Sequence, residues 1–156
     1  MKPCKQLLVR KLRGALRLRL GWMRDLQTPL WGMADEIMKF YAPDAKFEKK
    51  LGSWSWCEGS EGDYTIRWRT GHGLHTLLHE LGHRHYQHPD CRMAKSELDR
   101  WEEFLTEVEA WLWAEEECHK LGLPFDYADA EKALRPERKR YNVAPLVKPN
   151  WKYKTI

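Results

Sequence analysis

The chain has 156 residues, 42% of them hydrophobic and 32% charged, with a formal net charge of +4. That length suits one domain with a real core, for which nine Trp supply large rigid anchors. The longest unbroken apolar run, Ala110 to Ala114, is far too short to span a bilayer, and the four Cys, at 4, 57, 91 and 118, form no CxxC metal knuckle.

No secretory signal is read at the start, because Arg interrupts every apolar stretch, so reduced thiols and a cytoplasmic location are expected. Residues 1–27 read as a basic arm, with Lys2, Lys5, Arg10, Lys11, Arg13, Arg17, Arg19 and Arg24 against Asp25 alone. Such an arm first suits attraction to the acidic stretch 96–131 of the same chain, then nucleic acid or an acidic partner, and last a membrane surface or organelle targeting. Leu8, Leu12 and Leu16 follow a helical spacing, while Leu16, Leu18 and Leu20 alternate with Arg, so this stretch reads both ways.

Thr28-Pro29 predicts a helix start, and Leu30, Met33, Ala34, Ile37 and Phe40/Tyr41 share one side until Pro43 ends the helix. Trp54 and Trp56 alternate with Ser, Glu58 to Asp63 makes a turn, and Tyr64, Ile66 and Trp68 alternate with polar residues. This predicts a hairpin, whose second strand offers an edge to an extended peptide. After Gly71-His72-Gly73, a helix is expected over about 74–86 and a longer one over about 95–121, stopped by Gly122. Residues 136–156 read as a basic tail, with Pro145 and Pro149 favouring an extended or mobile end.

The first of these two helices carries His79-Glu80-Leu81-Gly82-His83, an HExxH pattern. Positions i and i+4 lie one turn apart on one helix face, so His79 and His83 can converge on one tetrahedral ion. Glu80 sits beside the first ligand, where a carboxylate can take a proton from water activated by zinc. Leu74, Leu77, Leu78 and Leu81 give the helix a buried side. Gly82 costs about 1 kcal/mol inside a helix, which makes sense if a neighbouring helix packs closely there.

A third protein ligand is required. A His at metzincin spacing falls on Pro89; His88 misses that register by one, and Tyr86 stands where Gly is needed. A Glu on the following helix is better placed. The apolar residues Leu98, Trp101, Leu105, Val108 and Leu112 define its expected buried stripe. Glu109 lies roughly 40° from Leu105 on that stripe, whereas Glu107 falls on the opposite, solvent side. Glu109 is therefore the favoured third ligand, with Glu102, Glu116, Glu107 and His88 as alternatives. The run Glu115-Glu116-Glu117 reads as a solvated helix face.

Tyr64-Thr65-Ile66, the HELGH stretch at 79–83 and Glu109-Ala110-Trp111 together resemble the ImmA/IrrE-type metallopeptidases and related phage-encoded HExxH proteins. The resemblance covers roughly residues 54–115 and implies a minimal gluzincin. Its expected fold is α+β, with a small antiparallel sheet packed on the HExxH helix and a following glutamate helix, over residues 28–135. Its expected activity is zinc-dependent hydrolysis of a peptide or protein substrate. His79, His83 and Glu109 would hold Zn2+, and Glu80 would act as general base. The basic arms keep a second class open: a zinc-stabilised or catalytically silent binding module, associated with nucleic acid.

Overall fold

A computed structural model describes residues 5–12, 28–50, 56–60, 63–69, 72–88, 97–140 and 149–155. Residues 5–12 form helix α1, settling the ambiguous start in favour of the helical spacing, with Leu8, Val9 and Leu12 buried. The rest of the basic arm, with Leu16, Leu18 and Leu20, lies outside the described residues, as do Cys4, Trp54, Pro89, Cys91 and Pro145. Helix α2 spans Thr28–Tyr41 and buries Met33, Ala34, Ile37 and Met38. Three strands follow, β1 over Lys46–Lys50, β2 over Trp56–Ser60 and β3 over Asp63–Arg69. Helices α3 over Leu74–His85, α4 over Glu97–Leu121 and α5 over Tyr127–Arg140 complete the order.

The α+β class holds, and the sheet corrects two expectations. β2 and β3 form the antiparallel hairpin read from the alternation, with Cys57 opposite Ile66. β1 runs parallel to β3, with Phe47 opposite Ile66, so the sheet is mixed rather than antiparallel. β3 therefore lies in the middle, in the order β1-β3-β2, and has no open edge for an extended peptide. The charged β1 sits at the side of the sheet, where its side chains reach partners: Lys49 pairs with Asp35 at 2.7 Å and Glu48 with Arg67 at 2.5 Å.

β3 positions α3. Ile66 and Trp68 are fully buried beneath Leu74, Leu77, Leu78 and Leu81. The indole N–H of Trp68 donates to the Thr76 hydroxyl at 3.2 Å, and that hydroxyl donates to the Gly73 carbonyl at 2.7 Å in the first turn of α3. Thr76→Val leaves the buried indole N–H without its acceptor. It should cost about 1–3 kcal/mol in urea unfolding of the metal-free protein; an unchanged midpoint would refute the strand-to-helix tie.

α4 packs along α3, and its phase differs from the expected one. Trp101 and Leu105 are 39% and 42% exposed. The buried side is instead Phe104, Ala110, Trp111, Ala114, Cys118 and Leu121. At about 100° per residue, that face is centred more than 100° from the stripe of Trp101, Leu105, Val108 and Leu112. Gly82 is the point of closest approach: a Cβ built there would lie 2.9 Å from the Ala110 carbonyl oxygen and 3.0 Å from its Cα. The close-packing explanation of Gly82 thus holds, and the small Ala110 is its partner. Gly122, at φ 69°, ends α4 in the left-handed conformation that a residue with a Cβ rarely adopts.

The glutamate run is a second correction. Glu115 and Glu117 are buried, because each has donors waiting for it. Glu117 accepts from Lys5 at 2.5 Å and from the Tyr41 hydroxyl. Glu115 accepts from the Tyr127 hydroxyl at 2.9 Å and from the backbone N–H groups of Lys152 and Tyr153 at 2.9 and 2.8 Å. Residues 149–155 are accordingly docked, with Tyr153 stacked 3.7 Å from His119 and Trp151 donating to Glu131. α5 also runs across the expected start of the basic tail at 136. Among the described residues, no helix is long and apolar enough to cross a membrane.

Candidate metal centre

α3 begins after Gly73, and its leucines fix which way its imidazoles face. With Leu77, Leu78 and Leu81 against the sheet and α2, His79 and His83 point along the α3–α4 seam. Their ring nitrogens meet: His83 Nε2 lies 3.1 Å from His79 Nε2. Glu107 reaches both from α4, with Oε2 3.3 Å from His79 Nε2 and Oε1 3.5 Å from His83 Nε2. These three side chains form a group able to hold a metal ion, and among the described residues it is the group of that kind found.

The structure thus brings Glu107, and not Glu109, to the two imidazoles. Glu107 lies at the centre of the face formed by Phe104, Trp111, Ala114 and Cys118, roughly 20–60° from each, while Glu109 is about 160° away. Glu109 is 51% exposed, and its Oε2 lies 2.9 Å from His88 Nε2. His88 in turn places Nδ1 3.0 Å from Nδ1 of His83. Glu102 is exposed and Glu116 pairs with Lys120 at 2.6 Å. The sequence did contain a signal for Glu107. Gly82 demands a small partner on the next helix, Ala110 is that residue, and Glu107 is one turn before it.

The donor set fits a zinc ion on distances alone. Tetrahedral coordination with bonds of about 2.0–2.1 Å sets ligand atoms roughly 3.3–3.4 Å apart. The three separations here are 3.1, 3.3 and 3.5 Å. Protonation also fits. Burial pushes the pKa of His79 down to about 4, so its ring is neutral at physiological pH. Burial alone would raise the Glu107 carboxyl. The charge of His83 and hydrogen bonds from both imidazoles outweigh that and hold it well below the usual carboxylate range.

Two different devices hold the rings. His79 lies stacked on Trp111, with ring centroids 4.1 Å apart and planes 22° apart. Its Nδ1 is buried without a hydrogen-bond partner among the described residues. His83 is held through its Nδ1 by His88. Glu80 is buried beside His79. One turn earlier, buried His75 pairs with Asp129 of α5 at 2.9 Å. A cavity of about 370 Å³ lies off another face of α3, against Tyr41, Tyr64, Arg84 and Trp113, and is not lined by His79, His83 or Glu107.

Comparison with protein-family models, with curated proteins and with solved structures finds no match for this chain.

Proposed function

We propose that this chain is a zinc-dependent metallopeptidase of compact, gluzincin-like design. The observation that carries the reading is the convergence of His79 Nε2, His83 Nε2 and the Glu107 carboxylate at tetrahedral ligand spacing, on a helix that also bears Glu80. Three protein ligands are the number found in catalytic zinc sites, which keep a fourth position for water or substrate; structural sites use four. The side chains of His83 and Glu107 are 14% and 20% exposed, so solvent reaches one side of the cluster.

A bound zinc ion supplies Lewis acidity, which polarises a carbonyl and acidifies water near neutral pH. The residues of the chain do the rest. His79 offers a neutral nitrogen, His83 offers a second imidazole nitrogen, and Glu107 offers a negative charge that is already ionised. Glu80, the residue after the first ligand, takes a proton from the attacking water and returns it to the leaving amine. Trp111, stacked on His79, restrains the orientation of its ring.

The nucleic-acid alternative draws on the basic arm. Two of its cations are engaged within the fold, Lys5 on Glu117 and Lys11 on Glu36 at 2.7 Å. That pairing favours internal attraction as the use of the arm's charge.

The test joins metal content to catalysis. The purified protein should carry about one zinc per chain and cleave members of a mixed peptide library. Glu80→Gln should keep the zinc and lose roughly 10²–10⁴-fold in cleavage, the range for removing a general base. Full cleavage by that variant, or no zinc uptake by the parent, would sink the reading.

A further inference from the structure

His88 and Glu109 sit behind His83, on the side away from Glu107, and form a chain of contacts with one consistent direction. An ionised carboxylate only accepts hydrogen bonds. Glu109 Oε2, at 2.9 Å, therefore places the His88 ring proton on Nε2. In a neutral imidazole the other nitrogen is then an acceptor. His88 Nδ1, 3.0 Å from His83 Nδ1, must receive a proton from it. His83 thus carries a proton on Nδ1, and Nε2 is the nitrogen turned to His79 and Glu107.

The backbone is shaped to make this contact. α3 ends in a Schellman turn, with His88 N–H donating to the His83 carbonyl at 3.0 Å and Gln87 N–H to the Arg84 carbonyl at 3.1 Å. The residue at the left-handed position is Gln87, at φ 54°, where glycine is the usual occupant. A side chain there costs roughly 1–2 kcal/mol. The turn folds the chain back by one residue past the helix, which sets the His88 ring edge-on to His83, with centroids 5.2 Å apart. Tyr86 stacks on the other side of His88 at 5.5 Å.

We infer that Glu109, acting through His88, is a positioning residue that holds a proton on His83 Nδ1 and so leaves Nε2 as the atom offered to the metal. The inference rests on the zinc reading for its purpose, but the place of that proton is a property of the metal-free chain. Groups that orient a ligating imidazole through its second nitrogen commonly change metal affinity by about 10–100-fold.

Nitrogen-15 NMR of the imidazole rings, together with zinc titration, tests it. In the metal-free parent, His83 should carry a proton on Nδ1 and His88 on Nε2. Glu109 is half exposed, so Glu109→Ala should fold normally, mix the His83 tautomers and weaken zinc binding by about 10–100-fold. Glu109→Gln keeps an oxygen that can accept from His88 and should restore most of both signals. A parent His83 with no proton on Nδ1, or unchanged zinc affinity in Glu109→Ala, would overturn the inference. If the parent takes up no zinc, the metal reading falls, and the ring spectra alone decide the relay.

Discussion

Glu107→Ala should lower the zinc affinity of this chain by more than the roughly 10–100-fold expected when a supporting residue behind a ligand is lost. The reason is geometric. Among the described residues, Glu107 is the carboxylate found to approach both ring nitrogens, at 3.3 and 3.5 Å, and it brings the negative charge of the set. Without it, two imidazoles remain and no carboxylate. Zinc stabilises whatever fold it binds, by about 2.7 kcal/mol at a hundredfold excess over Kd. The parent should therefore unfold at a higher temperature when zinc is added, and Glu107→Ala should not. Glu107→Gln, close in volume, should retain the parental circular dichroism, which separates loss of the site from loss of the fold. If Glu109→Ala abolishes uptake while Glu107→Ala spares it, the ligand assignment made here is wrong.

The second large effect is expected at Gly82. In an open helix, Gly→Ala stabilises by up to about 1 kcal/mol. Gly32 in α2 has nothing within 4 Å of a built Cβ, so Gly32→Ala should show that gain. At Gly82 the same methyl meets the backbone oxygen and Cα of Ala110 at 2.9 and 3.0 Å, which cannot move unless α4 moves with them. Overpacking of this kind costs about 1–3 kcal/mol, so after the helix gain Gly82→Ala should be net destabilising by up to about 2 kcal/mol, and Gly82→Val by more. Gly82 lies between the two metal-facing imidazoles and Ala110 lies one turn from Glu107. Zinc affinity should fall along with stability although every ligand is intact. Equal midpoints for Gly82→Ala and the parent in urea would show that the helices separate at little cost.

Those two sites also show how far the sequence could be read. The HExxH helix was legible because Leu74, Leu77, Leu78 and Leu81 share its period and its histidines share a face. The hairpin was legible because Ile66 and Trp68 alternate with polar neighbours. The phase of α4 was not, because its apolar residues mislead. Trp101 and Leu105 stand at the surface, while Glu103, Glu115 and Glu117 are buried. A hydrophobic pattern locates a core only when buried positions are apolar, and here three carboxylates break that rule. β1 was missed for a related reason. Lys46-Phe47-Glu48-Lys49-Lys50 looks like solvent-exposed chain, and its strand character comes from pairing with residues some 19 positions later. α5 has a local start signal, Asp126 Oδ1 accepting from Asp129 N–H at 3.0 Å, but its weak apolar pattern and internal Pro136 hide its length.

The docking of residues 149–155 bears on the order in which the molecule can assemble. Glu115 is 2% exposed, yet two of its three hydrogen-bond donors are supplied 37 and 38 residues later. A chain emerging from a ribosome, at about 5–20 residues per second, makes the carboxylate seconds before it makes those amides. Until they arrive, burying Glu115 would strand a charge, so this part of α4 stays hydrated on the nascent chain. Docking of this part of α4 is therefore expected late, timed by the C-terminal segment rather than by the motif helix.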